Sequence, residues 1–227
     1  MINDRGFLEP SPPEPAIDKP AFDSLCSNLS HGIHAAAQPL TILLASLSKA
    51  HTDQMSTEEL RELTASSSEE VQRVCTLFRY LQELVIAESI KPHLSATALL
   101  PLLASAAEGA QLLFHRDGMV LSSTMPEACP LVLINSPRTL RAFSSVLSTA
   151  HALSSARDHV ELIASTSIHG VEIVVRNLNL SITAANAEAR LSMATAEANI
   201  RSQQAGFEWS QQPFKVLIDL PKAPLIH

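Results

Sequence analysis

The chain has 227 residues, 46% of them hydrophobic and 17% charged, which is enough apolar material for one large or two small globular domains. A formal net charge of -7 offers no basic field to nucleic acid or anionic lipid, and the longest uncharged apolar stretches stop short of a bilayer span. Nucleic-acid-binding and membrane-embedded classes are thereby set aside. The three cysteines, Cys26, Cys75 and Cys129, are widely spaced with no Cys-x-x-Cys pair, so they read as reduced, buried thiols of a cytoplasmic protein.

Residues 1–20 are rich in proline, carry Asp4, Arg5 and Glu9, and have no apolar core, which predicts a disordered tail and no signal peptide. From residue 22 to residue 50, Leu25, Leu29, Ile33, Ala36, Leu40, Leu43, Leu44 and Leu47 fall on one face at 100° per residue, predicting one long amphipathic helix. A polar connector over 51–56 leads to Thr57, read as the cap of a second helix with Glu58 and Glu59 in its first turn. That helix carries Leu60, Val71, Val74, Phe78, Leu81 and Val85, whose later members alternate steps of three and four, and Pro92 ends it. Two such helices, each on the order of 45 Å long, cannot hide their apolar stripes as a lone pair, so residues 21–91 are expected to form half of a dimeric four-helix bundle.

Residues 92–227 have a mixed α/β texture. A helix is predicted over 96–108, with strands over 111–115, 119–122 and 131–134. A further helix starts at Pro137 and runs to about residue 153, and an antiparallel strand pair follows over 159–165 and 170–176, turning at 167–170. An alanine-rich helix over 184–204, stopped by Gly206, precedes strands over 207–210 and 214–220. The expected fold class is therefore α + α/β, a helical hairpin followed by an α/β sandwich.

On the first helix His31, His34, Gln38 and Thr41 project away from the apolar face. Pro39 is anomalous, because an interior proline costs roughly 3 kcal/mol, and a kink beside a reaction site would account for it. His34-Ala35-Ala36-Ala37-Gln38-Pro39-Leu40-Thr41 resembles the H-box of sensor histidine kinases, commonly His-Glu-Leu-Asn-Gln-Pro-Leu-Thr, and the five-residue step to proline selects His34 over His31. The resemblance implies a dimerisation and phosphotransfer hairpin with His34 as phosphoacceptor, Gln38 where an amide would position a hydrolytic water, and an ATPase-like domain behind it. A neutral imidazole has the lone pair to attack phosphorus and can return the group to an aspartate.

The departures from that family alter the expectation. Its acid directly after the histidine is replaced by Ala35, removing general-base help. Where the family has a magnesium-holding asparagine, this chain has Thr149 or Ala150, and Ser136 to Arg176 contains no asparagine. Val175-Arg176-Asn177-Leu178-Asn179-Leu180-Ser181-Ile182 aligns with Val-x-Asp-x-Gly-x-Gly-Ile but replaces the aspartate with Asn177 and the glycines with Asn179 and Ser181; Asn177 and Asn179 then read as turn formers. The α/β part is therefore expected to be a degenerate kinase scaffold with no bound cofactor or metal. A pair of histidines without a carboxylate or cysteine makes a weak metal site.

The resemblance is closest to dimeric histidine phosphotransferases derived from such kinases, which implies phosphoryl relay between His34 and the aspartates of response-regulator receiver domains without ATP. The alternatives are a non-enzymatic dimeric pseudokinase scaffold that regulates a kinase or response regulator, and third an active ATP-dependent histidine kinase.

Overall fold

The computed structural model describes residues 19–52, 55–178 and 187–224. The expected tail over 1–20 lies outside them, except that its last two residues open the first helix, α1, Lys19–Thr52. Helix α2, Thr57–Ser89, packs back on α1 to complete the hairpin. Its cap is one residue earlier than expected. The Ser56 hydroxyl accepts from the Glu59 backbone N–H at 3.3 Å, and the Glu59 carboxylate accepts from the Ser56 N–H at 2.8 Å. This reciprocal pairing satisfies two of the helix's free donors and holds the Glu59 carboxyl below the usual carboxylate range.

Helix α1 continues unbroken through Pro39, whose ring is buried. The proline removes the donor that would have met the Ala35 carbonyl. The single apolar face expected of α1 is in fact two. Leu25, Leu29, Ala35 and Ala36 pack with Leu77, Leu81 and Leu84 of α2 in a small core. Ile33, Leu40, Leu44 and Leu47 face outward with exposures of 47–68%. On α2 the expected seam divides likewise, with Val74 and Leu81 buried but Val71, Phe78 and Val85, spaced by sevens, exposed.

The rest of the chain adds β1 (Ser95–Thr97), α3 (Leu99–Arg116), β2 (Val120–Thr124), β3 (Val132–Ile134), α4 (Ser136–Leu153), β4 (His159–Thr166), β5 (Gly170–Asn177), α5 (Ala187–Arg201), β6 (Gly206–Ser210) and β7 (Lys215–Pro221). Strands β2-β4-β5-β7-β6 form one sheet, parallel only between β2 and β4, while β1 and β3 pair separately. The main core lies between this sheet and the helices, with Phe114, Phe143, Val146 and Met193 set against Leu162, Ile173, Val216 and Ile218. Gly170 is obligatory, since a Cβ there would meet the Leu220 carbonyl of the neighbouring strand.

Three expectations are corrected. The helix over 96–108 and the strand over 111–115 are instead β1 followed by the single helix α3, with Pro101 in its first turn where no donor is needed. Alternation misled because Leu112 and Leu113 of α3 face solvent while Phe114 fills the core. The alanine-rich helix is described from Ala187, and the left-handed residue just beyond it is Gln204 (φ 62°); Gly206 begins β6. Cys26 and Cys75 are exposed and only Cys129 is half-buried, so the expectation of three buried thiols fails, and all three are free.

Helix α5 joins the two halves of the fold. Met193, Ala196 and Ile200 enter the main core, while Leu191 and Ala198 enter the hairpin core beside Ala35 and Leu81. Gly32 permits this three-helix approach. A Cβ at that position would stand 2.5 Å from Leu81 Cδ2 and 3.1 Å from Leu191 Cδ2. Thr195 adds a polar tie by donating to the Tyr80 carbonyl of α2 at 3.2 Å.

Candidate functional site

His34 is exposed on α1, as its position on the helical wheel requires, and so are His31, Gln38 and Thr41. His31 and His34 lie nearly one turn apart but in different states. The His31 Nδ1 is 2.8 Å from the Ser27 carbonyl, which can only accept, so this nitrogen carries the proton and donates. His34 makes no hydrogen bond to any described residue, which leaves both of its ring nitrogens accessible. Thr41 is occupied locally, donating to the Ala37 carbonyl at 2.9 Å.

His31, His34 and Gln38 line a cleft of about 490 Å³ between α1 and the start of α5. Ser27, Asn28, His31, His34 and Gln38 form its α1 wall, and Arg190 faces them from α5. Among the described residues no carboxylate lines it. Ala35, where the kinases carry their acid, is 7% exposed and packed in the hairpin core with Leu191, so α5 covers that position. The placement of α5 thus supplies a packing reason for a small residue after the histidine.

A buried arginine fixes the joint that sets this cleft. Arg138, near the start of α4, donates to the Ile90 carbonyl at 2.8 Å, to Ser202 Oγ at 3.1 Å, and to the Ile86 and Ala87 carbonyls at 3.3 and 3.4 Å. It therefore adds donors to the carbonyls ending α2, of which Ile86 also accepts from the Ile90 N–H, and ties them to α4 and α5. Burial, and secondarily Arg141, pull its pKa below the usual arginine value, so the carbonyl bonds hold a cation that has been partly desolvated. Asn135 caps α4 by accepting from the Arg138 N–H at 3.1 Å and donates to the His93 carbonyl at 3.0 Å. No pattern in the sequence had distinguished Arg138, Arg190 or Gly32, because each acts on residues more than forty positions away.

The positions aligned with a nucleotide site are engaged internally. Thr149 is buried and donates to Ser192 Oγ of α5 at 3.1 Å, and Ala150 is buried beside it. The recess next to Thr149 holds about 120 Å³, well below the roughly 300–1,000 Å³ of ordinary ligand pockets. Asn177 is a buried end residue of β5, donating to Ser154 Oγ at 2.8 Å and Asp158 Oδ2 at 3.1 Å, so its expected role as a turn former is corrected. Asn179 and Ser181 lie outside the described residues.

A long helical hairpin followed by a mixed sheet with helices packed on it is the histidine-kinase fold. No family model and no curated protein sequence matches the chain. Among solved structures it is similar to the histidine kinase AdeS of Acinetobacter baumannii, with a TM-score of 0.67 and 13% identity over 84% of this chain and 98% of that one. Full-length ShkA in complex with AMPPNP gives a TM-score of 0.60 and 14% identity over 89% of this chain and 47% of that one, about half its length. The cytoplasmic segment of histidine kinase QseC gives 0.51 and 11% identity over 64% and 92%. No described helix is long and apolar enough to cross a membrane.

Proposed function

We propose that the chain is a histidine phosphotransferase of a cytoplasmic two-component phosphorelay, in which His34 exchanges a phosphoryl group with receiver-domain aspartates without ATP. The observation that carries this reading is an exposed, unbonded His34 in the histidine–proline spacing of the kinases, on a fold whose Thr149 and Asn177 are spent on internal hydrogen bonds. The lone pair of a neutral His34 ring nitrogen attacks phosphorus, the aspartate oxygen leaves as carboxylate, and the reverse step recharges a second receiver. Gln38, exposed one turn on, would orient a water in hydrolysis of the phosphohistidine.

The heptad-spaced faces at Ile33, Leu40 and Leu47 and at Val71, Phe78 and Val85 support a homodimeric four-helix bundle, since so large an apolar surface is costly to leave in water. The reading divides the chain into a tail over 1–20, the hairpin over 21–91 and a degenerate catalytic-like domain over 92–227. Incubation with receiver domains carrying an aspartyl phosphate is expected to label the wild type and leave His34→Ala unlabelled; equal labelling of both overturns the assignment.

Ala35 favours a second reading, a non-enzymatic dimeric pseudokinase scaffold, because the reaction centre lacks the kinases' acid. Under that reading His34→Ala leaves pathway output intact, whereas a charge at Leu40 on the outward face abolishes it. An ATP-dependent kinase, the third reading, requires calorimetric binding of ATP and magnesium.

A further inference from the structure

Across the cleft from His34, Arg190 is an exposed arginine that makes no ion pair or hydrogen bond with any described residue. In a chain with 23 acidic and 16 basic residues, a cleft lined among the described residues by this arginine, two imidazoles, amides and a hydroxyl, with no carboxylate, runs against the average charge. Its neighbours explain the orientation. Glu188 turns to the other side of α5 and pairs with Arg73 of α2 at 3.6 Å, while Ala187, Arg190 and Leu191, at helical spacings of three and four, face α1. Ala35 matters here too, since an acid in the kinases' position would stand beside the same cleft and compete for the arginine.

Resting on the phosphotransfer reading, we propose that Arg190 is a catalytic residue supplied by the α/β domain, holding the phosphoryl group on phospho-His34. Its planar guanidinium presents parallel N–H donors matched to two phosphoryl oxygens. In the step itself a His34 ring nitrogen gives its lone pair to phosphorus, the P–O bond to the receiver aspartate breaks with its electrons going to the carboxylate, and the other ring nitrogen keeps its proton. Arg190 neutralises the charge on the equatorial oxygens in passage and afterwards shields the phosphoramidate from water. The docked α/β domain is thereby part of the transfer site.

The test uses the full chain and two donors, phosphoramidate, which needs no protein partner, and a phosphorylated receiver domain. With phosphoramidate the P–N bond breaks as ammonia leaves, and the phosphorus signal of phosphohistidine is followed by NMR. The wild type is expected to label at His34, Arg190→Ala to label about ten-fold more slowly and lose the group faster, and Arg190→Lys to recover part of both. Thermal midpoints should agree, because Arg190 is exposed. Labelling and lifetime of Arg190→Ala equal to wild type, with His34→Ala blank, overturn the role of Arg190 and leave that of His34 standing. A defect seen with the receiver but not with phosphoramidate also overturns it, since Arg190 would then be meeting the partner's carboxylates. A wild type unlabelled by either donor removes both readings.

Discussion

Replacing Arg138 by methionine keeps the buried stem and removes every donor, leaving the end of α2 uncapped where it meets α4 and α5. Only two of its four contacts are short, those to the Ile90 carbonyl at 2.8 Å and to Ser202 at 3.1 Å. At about 1.5 kcal/mol for each bond from a charged donor, and with little credit for the two longer ones, the loss is about 3 kcal/mol. Arg138→Lys keeps the charge that suits the helix C-terminus but cannot span carbonyls and hydroxyl together, and should lose about half as much. Urea unfolding followed through Trp209 in β6 and through far-ultraviolet ellipticity measures both, and a 3 kcal/mol loss moves the midpoint by roughly 1 M or more. The two probes should also separate in Arg138→Met, as the hairpin loosens from the sheet. A midpoint within about 0.2 M of wild type, or a lysine variant as weak as the methionine one, would refute the capping argument.

Leu44→Glu and Phe78→Glu each place a charge on an outward apolar face. Light scattering after gel filtration is expected to give twice the chain mass for wild type and the single-chain mass for both variants; an unaltered wild-type monomer refutes the bundle. Gly32→Val should destabilise by about 2 kcal/mol through overpacking against Leu81 and Leu191, although helix propensity alone predicts a gain, so an increase in the urea midpoint would contradict the three-helix junction. Burial, and then the nearby Glu197, raise the Glu88 carboxyl above its ordinary value of 4.5. The folded state therefore holds this proton more tightly than the unfolded state, and stability falls as pH rises from 4.5 through the folded pKa. Glu88→Gln should gain about 0.3 kcal/mol at neutral pH and nothing below pH 4, a range typical of exposed charge pairs. A gain that persists in acid argues against this cause.

How far the chain could be read without coordinates depended on how local the governing forces were. Helix α1 and the strand pair β4 and β5 were legible because their apolar residues repeat at 3.6 and at two, and Pro137 and Pro92 mark boundaries through steric effects on adjacent residues. Helix α3 was misread where its periodic signal broke, at Leu112 and Leu113, which face solvent. The start of α2 was legible as a cap at Thr57, one residue from the Ser56 that forms the capping box with Glu59.

The residue order alone determined that His34 stands at a set distance from Pro39 on the polar side of a long helix, and that no Gly-x-Gly loop follows. Both are facts of spacing and composition, which helix geometry converts directly into exposure and into the lack of a phosphate cradle. Only the tertiary structure decided what faces His34 and what covers Ala35. Arg190 and Leu191 lie more than 150 positions away, and their approach depends on three helices meeting at Gly32 and on Arg138 fastening α2 to the sheet domain. Contacts of that separation leave no periodic trace, because each partner's sequence neighbourhood is governed by its own helix and not by the surface it meets.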